Sequence, residues 1–222
     1  MSRTRIYRIA ERLSSRYKDF SHFNRKNPLD EFLFITLSLT TTEPVYRRTF
    51  RSLKRAYPSF DRLMNAPVSR IAAVIKEGGQ SRIKARAIKA SLQILAKTFG
   101  RPTLAPLRRM STGDCEEFLM SLPGIGKKVA RCILMYSFHR PVFPVDTHCW
   151  RVASRLGLID PRKSSIQRGA DLLQEAIPPS MRFSVHVNML SLGRDVCRAN
   201  QQSCGRCPLS LLCPTRSILS PS

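Results

Sequence analysis

Four cysteines close the chain in the stretch "CRANQQSCGRCPLSLLC" (197–213), at gaps of six, two and five residues. Thiolates grouped in this way are metal ligands, and four of them suit either Zn²⁺ or an iron–sulfur cluster. Structural zinc sites are typically built from two paired knuckles. Here only Cys204 and Cys207 form such a pair, with Cys197 and Cys213 set wider. A second centre for chemistry is "LPGIGKKVA" (122–130), in which Gly124 and Gly126 flank Ile125. Two glycines can take backbone angles that other residues resist and leave N–H groups bare at a helix N-terminus. A phosphate oxygen is favoured there by hydrogen bonding and by the helix dipole. Ile125 would anchor the turn in the core, and Lys127 and Lys128 follow it as cations within reach of phosphate. Asp146, in "PVDTHCW" (144–150), precedes a helical pattern and taken singly reads as an N-cap.

These residues need a scaffold, and almost every segment reads as helix, punctuated by Gly, Pro and Asn. The spans are roughly 4–18, 30–41, 43–56, 67–77, 82–99, 114–120, 127–138, 147–156, 165–176 and 182–194, and no alternating strand pattern competes. The fold class is therefore all-α. Ile6, Ile9, Leu13 and Tyr17 make one stripe of the first helix, with Arg5, Arg8, Arg12 and Arg16 along its flank. "FLFITLSL" (32–39) is apolar on nearly all sides and suits a helix at the centre of a bundle. Ile88, Leu92, Leu95 and Phe99 form a stripe that stops at Gly100. The proline-bearing stretch "FHRPVFPVD" (138–146) interrupts two helices and is the candidate boundary or hinge, beside which a cleft is expected.

Composition narrows the partners. Thirty-eight Lys and Arg against 15 Asp and Glu give +23, a balance that favours a polyanion, and nucleic acid over an anionic membrane surface. The longest apolar runs fall far short of the roughly 20 residues needed to span a bilayer. The opening "MSRTRIYRIAERLSSRY" lacks the apolar segment of a secretory signal, so the protein is expected to stay inside the cell. Seven cysteines, an odd total, speak against a disulfide framework and for a reducing compartment. Cys115, Cys132 and Cys149 lie scattered in apolar stretches and read as small buried hydrophobes.

Taken together, "LPGIGKKVA", then "VDTH" (145–148), then cysteines at 197, 204, 207 and 213 resemble the endonuclease III branch of the helix-hairpin-helix DNA glycosylases, over nearly the whole chain. The resemblance implies two helical domains with a DNA-binding cleft between them. A six-helix domain with the hairpin would span 30–141, and a cluster domain would combine 1–29 with 142–222. It implies a [4Fe-4S] centre held by Cys197, Cys204, Cys207 and Cys213, with a structural role. It places the catalytic lysine on Lys128 and the second catalytic residue on Asp146. DNA contacts would come from Gly124, Ile125, Gly126, Lys127, Thr40, Gln80 and Arg198. The implied partner is double-stranded DNA carrying a damaged base or an abasic site, with no membrane and a monomeric protein. The implied location is the bacterial or archaeal cytoplasm with the nucleoid, or a eukaryotic nucleus.

The implied chemistry accounts for these residue types. Breaking an N-glycosidic bond builds positive charge on the sugar, which a carboxylate stabilises. A lysine amine attacking C1′ displaces the base and leaves a Schiff base, through which the strand is cut by β-elimination. The base must first be flipped out of the duplex, at about a few kcal/mol that damage reduces. In the family, residues that fill the vacated stack lie in two loops, which here read "SLTTTE" (38–43) and "GGQSRIK" (78–84). A glutamine is usual where Thr40 stands, and a larger apolar or aromatic residue where Gln80 stands. Thr40 is too short to fill a base-sized gap, so Gln80 is expected to take over. The cluster loop "RANQQS" offers only Arg198, with Arg206 following. Arg82, Lys84, Arg86 and Lys89 are expected either to compensate or to form a solvated face. An oxidised pyrimidine is the first substrate expectation. The alternatives are a uracil or thymine mispair, an abasic site alone, or a non-catalytic DNA-binding iron–sulfur protein.

Overall fold

In the computed structural model residues 3–18 and 24–216 are described, and they fall in two compact units, 24–140 and 3–18 with 141–216. The helices are α1 (Arg3–Arg16), α2 (Pro28–Ser38), α3 (Glu43–Ala56), α4 (Phe60–Asn65), α5 (Val68–Val74), α6 (Ser81–Phe99), α7 (Thr112–Ser121), α8 (Lys127–Phe138), α9 (Thr147–Arg155), α10 (Ile166–Ala176) and α11 (Arg182–Asp195). Among the described residues the only extended pairing is an isolated antiparallel bridge, Cys197 to Gln202, so the all-α expectation holds.

In the unit 24–140, α2 is the central helix. Asn27 caps it, its Oδ1 accepting from the Leu29 N–H at 2.9 Å, and Pro28 occupies the first position, where a missing N–H does no harm. Phe32, Leu33, Phe34, Ile35 and Leu37 are all buried, as an all-round apolar helix requires, and α2 packs on α3, α6 and α8. α2 ends at Ser38, earlier than its apolar run suggests, because Leu39 is extended and Thr40 is left-handed. α6 buries Ile88, Leu92 and Leu95 completely and stops at Gly100, φ +76°. The short α4 was not legible in the sequence, since six residues show too little period. Its signal is Ser59, whose hydroxyl caps the Arg62 N–H at 3.2 Å.

The other unit is built on one hydrophobic core. Ile6, Ile9 and Leu13 of α1 meet Val152 of α9, Leu173 of α10 and Met189 of α11. The stripe read on the first helix is thus its buried face. Cys149 in this core, like Cys115 and Cys132 in the unit 24–140, is buried, as expected of a small hydrophobe. α9 and α11 pack tightly. A Cβ on Gly193 would lie 2.8 Å from the His148 Cβ and 3.3 Å from its Cα. In a helix interior alanine is favoured over glycine by about 1 kcal/mol. The contact is expected to reverse that sign, so that Gly193→Ala loses about 1–3 kcal/mol, read as a lower denaturant midpoint. A raised midpoint would show that the two helices have room to spare.

Candidate functional site

The turn Leu122–Gly126 joins α7 to α8. The Leu122 N–H donates to the Leu119 carbonyl and the Ile125 N–H to the Leu122 carbonyl, both at 3.1 Å. Ile125 is 5% exposed and so anchors the turn. Gly124 has φ +78°, and a Cβ there would lie 2.8 Å from the Ala87 Cβ of α6, so both backbone and space require glycine. Ser91, also on α6, donates to the Pro123 carbonyl at 3.1 Å. Gly126 faces open space, where a Cβ would meet nothing within 4 Å, and no side chain caps α8 behind it. The N-terminus of α8 therefore presents backbone N–H groups at its positive dipole end, with Lys127 and Lys128 as its first two residues. α7 and α8 are clamped by an ion pair in which the Arg131 Nε donates to both oxygens of Glu116 at 3.1 Å, with side-chain exposures of 4% and 15%.

Lys128 is half-buried. Beneath it lies Glu31 of α2, fully buried, which accepts from the Arg25 N–H at 2.6 Å and from the Asn24 Nδ2 at 2.5 Å. Burial pushes the Glu31 carboxyl above its usual range. Those two hydrogen bonds and the charges of Arg25 and Lys128 oppose the rise. A carboxylate near the Lys128 amine was not among the sequence expectations, and nothing in "NPLDEFLF" separates Glu31 from an ordinary surface acid.

Thr40 and Gln80 are both exposed and both left-handed, at φ +55° and +48°. The Thr40 hydroxyl turns back on the Leu39 carbonyl at 2.7 Å. Of the four basic residues read on α6, Arg82 and Arg86 are exposed, while Lys84 is 3% exposed and Lys89 donates to the Ala66 carbonyl at 2.9 Å. Lys84 thus corrects the expectation of a DNA-facing or solvated side chain. It stands four residues before Ile88 and extends the buried stripe. That spacing was the available signal, and its charge concealed it.

Asp146 lies in the other unit and caps α9, its Oδ1 accepting from the Cys149 N–H at 2.8 Å. Cys197, Cys204, Cys207 and Cys213 line one small pocket with Arg155 and Arg216. Among the described residues no three His, Cys, Asp or Glu side chains are drawn together as a ready site for a metal ion. The donor chemistry nonetheless fits a cationic centre. Burial pushes the Cys207 thiol up, and the charges of Cys197, Cys213 and Cys204 push it further, against a Leu209 N–H that lowers it. A positive centre would relieve that repulsion. Sequence reasoning missed what fixes this loop. On one face of α9, the Arg151 Nε donates to the Cys197 carbonyl at 2.9 Å, and Arg155 donates to the Arg198 and Ala199 carbonyls at 2.7 and 3.0 Å. Arg198 itself is exposed, its Nε donating to the Arg194 carbonyl at 3.1 Å.

The two hairpin glycines are expected to respond differently to alanine. Gly124→Ala meets both a left-handed backbone and Ala87, and should lose roughly 2–4 kcal/mol. Gly126→Ala, at φ −92° in open space, should stay within about 0.5 kcal/mol of the parent while weakening binding to a phosphate backbone. Denaturant midpoints and duplex titrations at fixed salt check both; equal midpoints would contradict the assigned roles.

Residues 34–179 match the family described as HhH-GPD superfamily base excision DNA repair protein. A candidate DNA glycosylase of Arabidopsis thaliana is 31% identical over 87% of this chain and 63% of its own length. The present chain therefore spans less than two thirds of that relative. Endonuclease III of Bacillus subtilis (strain 168) is 28% identical over 84% of this chain and 81% of that one. A solved non-covalent endonuclease III–DNA complex superposes with a TM-score of 0.87, covering 98% of both chains at 25% identity. With its uncapped glycine hairpin and this match over most of its length, the chain belongs to the HhH-GPD superfamily of base excision DNA repair proteins and is endonuclease III-like.

Proposed function

We propose that the protein is a DNA glycosylase with AP lyase activity, acting as a monomer on duplex DNA that carries a damaged base, an oxidised pyrimidine first. The observation that carries this reading is the position of Lys128, the second residue of a helix whose N-terminus is left open by the Gly124–Gly126 turn. A phosphate held at that N-terminus would bring the sugar of a neighbouring nucleotide within reach of the amine. The Lys128 nitrogen forms a bond to C1′ and loses a proton, while the C1′–N bond to the base breaks and the base leaves. The sugar ring then opens, the C1′–O4′ bond breaking as O4′ takes up a proton, and the Schiff base so formed acidifies C2′–H. Loss of that proton expels the 3′ phosphate and cuts the strand. Asp146 stabilises the positive charge on the sugar. Gly124, Ile125, Gly126 and Lys127 hold the backbone, Thr40 and Gln80 meet the opened stack, and Arg198 adds a phosphate contact.

Cys197, Cys204, Cys207 and Cys213 are proposed to hold a [4Fe-4S] cluster, in the two-domain arrangement that the resemblance implies. Bound, the cluster would cross-link the loop after α11 and supply no step of the excision. The spacing, with one paired knuckle where structural zinc sites typically have two, supports iron over zinc. A second reading within the same class, a mispaired uracil or thymine or an abasic site alone, is favoured by one observation. Thr40 spends its hydroxyl on its own backbone and reaches no further.

The test is borohydride trapping on a panel of duplexes with single lesions. A covalent complex is expected on at least one lesion and on an abasic site. It should be lost in Lys128→Ala, and Asp146→Asn should slow base release by about a hundredfold. Trapping on no duplex would leave a non-catalytic DNA-binding protein, and trapping that survives Lys128→Ala would name a different nucleophile. Metal analysis should find about four irons per chain with broad visible absorption; zinc alone would overturn the cluster.

A further inference from the structure

Lys84 is a charged residue that the excision scheme does not use, and it is buried where the scheme needs rigidity. Its Nζ donates to the Leu37 carbonyl at 3.1 Å, the Leu39 carbonyl at 2.7 Å and the Gly78 carbonyl at 2.8 Å. An ammonium has three protons to donate, so these three acceptors exhaust it. Leu37 and Leu39 belong to the C-terminal end of α2, where carbonyls lack intrahelical partners and the dipole is negative; Gly78 ends the 3-10 turn Lys76–Gly78. One cation therefore closes the ends of the helix and the 3-10 turn at once. Burial lowers the Lys84 pKa, and the three carbonyls favour the charged form.

Each of these element ends runs into a left-handed residue. Directly after Leu39 comes Thr40, and two residues after Gly78 comes Gln80. Among the described residues, three non-glycine positions have positive φ, and these are two of them. A left-handed backbone is uncommon for any residue with a Cβ, is an outlier for a β-branched threonine, and persists only where the surroundings hold it. Gly78 is held from its other side as well, since a Cβ there would lie 3.3 Å from Cγ2 and Oγ1 of Thr49 on α3.

We infer that Lys84 is a positioning residue for base extrusion: a buried ammonium that ties the Leu37–Thr40 and Gly78–Gln80 loops together, so that the two side chains facing the opened stack act at a fixed spacing. This rests on the proposed glycosylase reading for its function, though not for its geometry. Without the ammonium, three carbonyls would seek water and the two loops would move independently.

The test uses the whole 222-residue chain with Lys84→Met and Lys84→Arg, the second keeping the charge on a planar fork that cannot meet three converging carbonyls. Amide hydrogen exchange is followed in segments 37–43 and 77–83. Excision is followed on a duplex lesion, and borohydride trapping on an abasic site in a single strand, where there is no stack to fill. Exchange should rise together in both segments. Excision from duplex should fall roughly ten- to hundredfold, with single-strand trapping nearly unchanged. Gln80→Ala should show the same split between substrates. An equal fall on both substrates in whichever variants fold, or exchange that rises in one segment alone, would overturn the inference. A parent protein that traps on neither substrate would instead refute the glycosylase reading, and the exchange result would still decide the tie between the loops.

Discussion

The hairpin turn lies so close to α6 that one methyl group decides whether it fits. A Cβ on Gly124 would lie 2.8 Å from that of Ala87, and Ser91, one turn further along, holds the Pro123 carbonyl. α6 thereby fixes where α8 begins, and with it the open N–H groups and the first two lysines. The same helix begins with Gln80 as its N-cap and carries Lys84 one turn in. Turn and loops are thus referred to one rigid element. A site made of side chains from several loops keeps its geometry only when such an element supports them.

Charge is distributed by the same logic. With 15 acidic residues against 38 basic ones, pairing every acid with one base would still leave 23 cations over. Several of the acids have structural roles. Glu116 joins α7 to α8 through Arg131, Asp30 holds Lys54 at 2.9 Å, and Asp195 receives Arg16 at 3.2 Å and the Tyr17 hydroxyl at 3.3 Å. Arg82 and Arg86 remain exposed on α6. A surface of that kind binds a polyanion through released counterions, so its affinity falls steeply with salt and carries little sequence information.

Much of this was legible in the residues alone. The helical periods located nearly every helix, because a stripe repeated over three or more turns arises on the buried face of a helix and almost nowhere else. The glycine pair announced a turn, and the scattered cysteines announced buried positions. What stayed hidden were meetings between distant segments. Lys84 looks in the sequence like its neighbours Arg82 and Arg86, because only burial separates a structural cation from a surface one. Arg155, at the end of α9, holds the backbone of residues 198 and 199 more than forty positions away, a meeting that no local pattern marks. Thr40 gives no hint of a left-handed backbone, since a β-branched residue adopts one only where tertiary contacts impose it. Gly193, within "LGRDVC", is the converse case: a residue without a side chain whose importance lies in what it lets approach.

The central claim is that the amine two residues beyond the glycine turn forms the bond to the sugar. Peptide mapping of the borohydride-reduced protein–DNA adduct by mass spectrometry tests it directly. The sugar remnant is expected on Lys128 alone, within the segment that follows Gly126. A remnant on Lys127, on Lys84 or on the N-terminal amine would contradict the account, however active the protein proved to be.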